Sequence, residues 1–270
     1  MAATWDFTTN TLLPLVGKDK LPLFATSTLP ESIHMEEANG YAFTNAISTF
    51  DEARPFSSFI QQSHAQTVII IYANNSWGDT QRKIYGEMAA KQGVKIVQEL
   101  PSVSFDQNEW RTFIPSIRRS NPDLLLLLLN KNDLELFLKR ASEVQLHTAL
   151  FASKNAYDAF RSSGQKELYE DLCFTYPYER LLSQEDFAKK YQKKFGEAPR
   201  IYADNTYDAL FLLSQAYALK ISSHHSFRDA LMQTKYLGLV GHYEFSPLRS
   251  FQLGTSSLLC VEDHQLKLKP

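Results

Sequence analysis

Two stretches of the chain pass abruptly from unbroken apolar runs into polar turns. Thr67 to Asp79 reads TVIIIYANNSWGD, and Asn121 to Asp133 reads NPDLLLLLLNKND. Each run is followed by a helix-length amphipathic segment, Gln81–Gln92 and Leu134–Val144. Strands of a parallel sheet are covered on both faces, so they read as continuous hydrophobic runs rather than as alternation. The pattern therefore predicts strand–turn–helix units of a parallel α/β sheet. In such sheets ligands sit just beyond the carboxyl ends of the strands, which directs attention to Asn74–Trp77 and Asn130–Asp133.

The same reading predicts a helix near Thr9–Lys18, short strands at Leu21–Ala25 and Tyr41–Thr44, and a helix over Asp51–Ser63. Strand Val68–Tyr72, helix Gln81–Gln92, strand Lys95–Leu100, helix Glu109–Arg119, strand Asp123–Leu129, helix Leu134–Val144 and strand Ala149–Ala152 then alternate strictly. That order implies right-handed crossovers and one complete doubly wound domain. Strand Leu172–Tyr176 follows, then helices Gln184–Phe195, Asn205–Leu219 and Ser226–Gln233. Gly196, with Pro199 beyond it, is a helix stop. From Leu239 to Lys267 the pattern changes to short alternating strands. The segment before Thr67 is thin for a core of its own.

Composition narrows the function classes. At 270 residues with 44% hydrophobic and 21% charged residues, the chain has room for one large or two medium α/β domains. A net charge of −2 with both signs interspersed gives no footprint for nucleic acid. Thirteen Tyr and eighteen Phe supply a core and leave aromatics for a ligand cleft. The two cysteines, Cys173 and Cys260, each lie in an apolar run and read as buried free thiols, with a disulfide between them left open. The seven His are scattered without metal spacing, so neither a metal nor another cofactor is expected. The start, MAATWDFTTN, lacks the basic and apolar regions of a secretory leader, and Leu124–Leu129 is too short to span a membrane. As written, the chain is thus expected to be cytoplasmic. No GxSxG, GxxxxGK[ST], HExxH or GxGxxG is present, which argues against an enzyme.

Several words, in order, resemble the type I periplasmic-binding-protein family, specifically the leucine/isoleucine/valine-binding branch of ABC-transporter receptors. They are LPLFATSTLPES, VIIIYANNSWGD, SFDQNEWRTFIPSIRRSNPDLLLLL, LKRASEVQL, YQKKFGEAPRIYADNTYDALFLLSQAY and GLVGHYEFSP. The resemblance implies two doubly wound parallel-sheet lobes joined by a hinge and closing on a small molecule. Residues 1–46 and 179–238 are expected in lobe 1, and residues 47–178 and 239–270 in lobe 2. Family members carry a further strand–helix–strand–helix run before the element matching TWDFTTNT, so lobe 1 is expected to be incomplete at its N-terminus, with exposed sheet edges.

The resemblance also places ligand contacts. Trp5, Asp6 and Phe7, with Thr26, Ser27 and Thr28, match the lobe-1 positions that hold a ligand's charged backbone groups. Hydroxyls and turn N–H groups after a strand suit an anion; the alternative is a turn capping a helix before Pro30. Trp77 matches a lobe-2 aromatic that closes over the ligand, and Asn130 matches a family tyrosine. Lys154 stands where the family has a glutamate that neutralises the ligand's ammonium. A lysine there either repels an amino group, favouring an amide or carboxylate ligand, or points to solvent. Tyr176 and Tyr178 are expected near the hinge. Asp204 and Asp208 read as acids favouring a helix N-terminus.

These expectations describe a solute receptor delivering an amino-acid-like, amide or carboxylate ligand to an ABC importer's membrane subunits. By resemblance it is periplasmic or extracellular. Two other readings remain: a ligand-sensing regulatory domain of the same fold acting through a protein partner, and a truncated remnant that binds nothing.

Overall fold

The computed structural model describes residues 2–3, 6–26, 38–103, 108–176, 185–199, 202–240, 242–245 and 256–270. In chain order the elements are β1 (Ala2–Ala3), α1 (Asp6–Asp19), β2 (Leu23–Ala25), β3 (Ala42–Thr44), α2 (Thr49–Ser63), β4 (Thr67–Ala73) and α3 (Ser76–Lys91). Next come β5 (Lys95–Ser102), α4 (Glu109–Ser120), β6 (Leu124–Leu128), α5 (Lys131–Glu143), β7 (Ala149–Ala152), α6 (Asn155–Ser162) and β8 (Leu172–Tyr176). The last are α7 (Glu185–Phe195), α8 (Ala203–Ser223), α9 (Phe227–Gln233), β9 (Lys235–Leu237), β10 (His242–Glu244), β11 (Ser257–Glu262) and β12 (Gln265–Lys269).

The chain divides into two compact units, one of Met1–Thr49 with Glu179–Thr255 and one of Phe50–Tyr178 with Ser256–Pro270. In the second, seven strands pair in the order β12-β11-β8-β7-β6-β4-β5. From β8 to β5 they run parallel, and β11 returns antiparallel to β8 and to β12. All five leucines of β6 are buried, as expected of a central strand covered on both faces. Because side chains alternate across a strand, Val68, Ile70, Leu124 and Leu126 pack on one face with Phe56 and Phe59 of α2 and Tyr85 and Met88 of α3. The Trp110 ring of α4 meets Phe137 of α5 with centroids 5.4 Å apart, and both are buried.

The two cysteines are not free thiols. Cys173 of β8 and Cys260 of β11 are direct partners in the antiparallel pairing and are joined by a disulfide. Sequence could not show this, because the pairing depends on a strand that returns 87 residues later.

In the first unit β1, β2 and β3 form a parallel sheet. Phe24 and Phe43 pack with Leu212 and Ala216 of α8, Leu231 of α9, and Tyr243 and Phe245 in and beyond β10. The stretch after residue 239 is therefore split. The expectation assigned 239–270 to the second lobe, but Val240, Tyr243 and Phe245 belong to the core of the first unit. Only from Ser256 onward does the chain join the seven-stranded sheet's unit.

Asp208 explains that placement. It is fully buried on α8, and its carboxylate accepts hydrogen bonds from the Leu239 and Val240 N–H groups and the Tyr243 hydroxyl, each at 2.8 Å. It is a latch for the β9–β10 hairpin rather than a helix-dipole acid. At the start of the same helix, Asn205 Nδ2 donates to the Asn45 carbonyl and Asn45 Nδ2 donates to the Asn205 carbonyl, at 2.5 and 2.6 Å.

Candidate functional site

The carboxyl ends of β4, β6, β7 and β8, four adjacent strands of one sheet, carry the candidate residues of the second unit. Beyond β4, Asn75 caps α3, its side-chain oxygen accepting the Gly78 N–H at 2.9 Å. Helix α3 thus begins at Ser76, five residues earlier than the hydrophobic periodicity suggests. Trp77 lies in its first turn, half-buried, and not in an open polar turn. Gly78 is dictated by close approach: a Cβ there would lie 1.8 Å from the Ala73 carbonyl oxygen. Only glycine lets the helix start that close to the strand that precedes it.

Beyond β6, Asn130 occupies the N-cap position of α5 with extended backbone (φ −66°, ψ 159°) and a half-buried side chain. Beyond β7, Ser153 and Lys154 are buried. Lys154 neither points to solvent nor stands as an isolated positive charge. Its Nζ pairs at 2.5 Å with Oε2 of Glu52 on α2, and the two side chains are 4% and 0% exposed. At the end of β8, Thr175 donates its hydroxyl to the Glu52 main-chain oxygen. The Tyr176 ring stacks on Tyr157 of α6, with centroids 4.0 Å apart and planes inclined by 26°.

A buried polar layer therefore underlies the strand ends. Among the described residues, Glu52 Oε1, Ser153 Oγ and the Tyr85 hydroxyl are buried without a hydrogen-bond partner, as are both polar atoms of the Gln81 side chain. Burial holds the Tyr85 phenol well above its ordinary range, and the neighbouring Glu52 charge pushes the same way. Glu52 was not singled out from sequence. It sits one hundred and two positions from Lys154, in a helix whose acids read as an ordinary solvated first turn, and no local pattern marks it.

In the first unit Thr26 directly follows β2. It is buried, and its hydroxyl meets no partner among the described residues. Asp6 and Phe7 open the backbone of α1. Trp5, Ser27, Thr28 and Tyr178 lie outside the described residues. Among the described residues no group of three or more His, Cys, Asp or Glu side chains is placed to hold a metal, and no helix is long and apolar enough to cross a membrane.

This architecture and the sequence agree on one family. A periplasmic binding protein model matches residues 1–253, and the chain belongs to that family. Its fold is the type I periplasmic-binding-protein α/β fold. It is similar to an extracellular ligand-binding receptor from Rhodopseudomonas palustris HaA2, with a TM-score of 0.82 at 17% identity over 100% of this chain and 82% of that one. An ABC transporter substrate-binding protein from Desulfitobacterium hafniense in complex with Leu superimposes with a TM-score of 0.73 at 17% identity, over 99% of this chain and 80% of that one. An R. palustris solute-binding protein in complex with benzoate does so with a TM-score of 0.81 at 11% identity, over 99% and 76%. At these identities the likeness is one of fold. No curated protein matches the sequence. The relatives are named as receptors and substrate-binding proteins, not as enzymes.

Proposed function

We propose that this protein is a solute receptor that binds a small organic molecule and presents it to the membrane subunits of an ABC importer. The observation that carries this reading is the convergence of Trp77, Asn130, Lys154 and Tyr176 at the carboxyl ends of four adjacent strands in a chain of this family. Thr26 is proposed as a contact in the first unit, with Trp5, Asp6, Phe7, Ser27 and Thr28 carried over from the family pattern.

The Glu52–Lys154 pair bears on ligand class. A lysine neutralised inside the fold exerts far less repulsion on an ammonium group than an unpaired one, so the argument against an amino-acid ligand loses its force. The ligand class that fits is a small molecule with one apolar or planar body facing Trp77 and one polar or anionic end. The solved relatives that hold leucine and benzoate have such ligands.

The buried Cys173–Cys260 disulfide supports residence in an oxidising compartment, consistent with the periplasmic or extracellular setting of the family.

The test is thermal unfolding of this chain against leucine, isoleucine, valine, benzoate, aliphatic amides and dicarboxylates. A ligand at about 100 times its Kd stabilises by about 2.7 kcal/mol, a shift of a few degrees. A shift confined to one chemical class supports the receptor reading, and a cooperative melt that none of them moves argues against it.

A further inference from the structure

We infer that Glu52 is a positioning residue for the solute. It holds the ends of β7 and β8 in place beneath the candidate site, and it supplies the negative charge that keeps Lys154 from selecting an anion. This rests on the receptor reading above and deepens it: with Glu52 present, the site stays open to solutes whose polar end is uncharged or carries an ammonium group. Every residue in the argument lies in the second unit.

Glu52 touches both strand ends at once. Its Oε2 meets Lys154 Nζ just beyond β7 at 2.5 Å, and its main-chain oxygen accepts the Thr175 hydroxyl near the end of β8. These partners lie 102 and 123 positions away in the chain. Lys154 is itself proposed to meet the solute, and Thr175 is the chain neighbour of Tyr176, which is proposed to do the same. A change at position 52 is therefore felt at both.

The acid also belongs to one level of the fold. The rings of Phe56, Tyr85 and Phe151 pack together, with centroids 5.3, 4.8 and 6.3 Å apart. Glu52 lies four residues before Phe56 on α2, Gln81 four before Tyr85 on α3, and Ser153 two beyond Phe151 where β7 ends. Both helices run back from the carboxyl ends of the strands, since α3 leaves β4 and α2 leads into it. Four helical residues rise about 6 Å and two strand residues about 6.6 Å. Glu52, Gln81 and Ser153 thus stand at one height above an aromatic floor, on the side where the strands end.

Stability alone does not account for an acid there. A buried ion pair recovers its desolvation cost only when further hydrogen bonds satisfy its remaining lone pairs, and well-packed apolar residues often do as well or better. Among the described residues Glu52 Oε1 has no hydrogen-bond partner, and neither do Ser153 Oγ, the Tyr85 hydroxyl and the polar atoms of Gln81. The strand ends supply a reason. Charge at a binding surface decides which partner is accepted more than how tightly it is held. With the Glu52 carboxylate removed, the Lys154 ammonium in a low-dielectric interior attracts a carboxylate and repels another ammonium.

Calorimetric titration of the whole chain with two pairs of near-isosteric solutes tests this. Leucine and isocaproate, and benzamide and benzoate, differ within each pair by a single negative net charge. Working at about pH 6 favours the protonated form of a buried lysine. Glu52→Gln keeps the side-chain shape and removes the charge. In whichever pair the parent binds, it is expected to shift the ratio of the two Kd values at least tenfold toward the anion. Lys154→Gln is expected to shift the ratio the other way, and Glu52→Gln/Lys154→Gln to return it to the parent's. Glu143→Gln, which removes an acid 43% exposed on α5 of the same unit, is expected to leave it unchanged. A purely structural role weakens both members of a pair together. Equal loss for both in Glu52→Gln therefore overturns the inference and leaves the receptor reading standing. If that variant does not fold, an unmoved ratio in Lys154→Gln overturns it equally. A parent that binds no member of either pair overturns it too, and thermal unfolding against the wider panel then judges the receptor reading separately.

Discussion

Gly238 lies against the carboxylate of Asp208 so closely that a Cβ built on it would sit 2.4 Å from Oδ2 and 2.5 Å from Cγ. The backbone of the β9–β10 hairpin can drape over the buried acid only because position 238 lacks a side chain. Gly238→Ala must push Asp208 away from the Leu239 and Val240 N–H groups, or lift the hairpin off α8. Overpacking of this kind costs about 1–3 kcal/mol. A drop of that size in denaturant stability is expected, and an alanine variant as stable as the parent would contradict the packing described.

The same carboxylate gives a pH prediction. Burial raises the Asp208 pKa above its ordinary 3.8, with the Val240 and Leu239 N–H groups and the Tyr243 hydroxyl opposing that rise. The folded state therefore holds the Asp208 proton more tightly than the unfolded chain. That contribution is complete below the ordinary value and is lost as pH rises through the raised one. Asp208→Asn abolishes this component. Comparing denaturant midpoints at roughly pH 4 and pH 6, the parent is expected to lose more stability, or gain less, than the Asn variant.

Removing one partner of the Glu52–Lys154 pair strands a charge inside the second unit. Lys154→Met is expected to destabilise by about 3–5 kcal/mol, with Glu52→Leu/Lys154→Met recovering most of the loss. A double-mutant cycle measured by urea unfolding gives the coupling. Additive single effects would mean that the two groups do not interact.

Closing a loop of 87 residues, the Cys173–Cys260 bond restricts the unfolded chain by about 4.5 kcal/mol in the loop-entropy treatment. Thiol titration of the unfolded, unreduced protein is expected to find no free thiols. The Cys173→Ser/Cys260→Ser variant should unfold at distinctly lower denaturant concentration. Two titratable thiols in protein secreted from cells would refute the bond.

Trp77 tests the receptor reading. Once the panel names a ligand, Trp77→Ala is expected to weaken binding at least tenfold, about 1.4 kcal/mol. The ligand-free melt should move by only a few degrees, since the ring is half-buried. Unchanged affinity by calorimetry would remove Trp77 from the site.

Much of this architecture is legible in local patterns. The buried runs Val68–Ile71 and Leu124–Leu128 mark central strands because nothing else keeps so many branched side chains dry. The early start of α3 is less visible. Asn75 and Gly78 act through one capping bond and one close approach, neither of which alters hydrophobic periodicity. Partnerships across the fold leave no local trace. Glu52 with Lys154, Cys173 with Cys260, and Asp208 with the 239–240 backbone are set by which strands become neighbours. Reading Lys154 as an unpaired charge failed for that reason: sequence gives the identity of a residue but not the compensating group that tertiary structure delivers to it.

The bridge between β8 and β11 also has a mechanical meaning. If the two ends of the chain are drawn apart, tension entering at Cys173 passes through the sulfurs to Cys260 and bypasses the 87 positions separating them. Everything from Glu179 to Thr255, including α7, α8, α9 and the β9–β10 hairpin, lies within that shielded span. Roughly 300 Å of contour is thereby withheld from extension. A force trace of the oxidised protein should be shorter than that of the reduced protein by about this length.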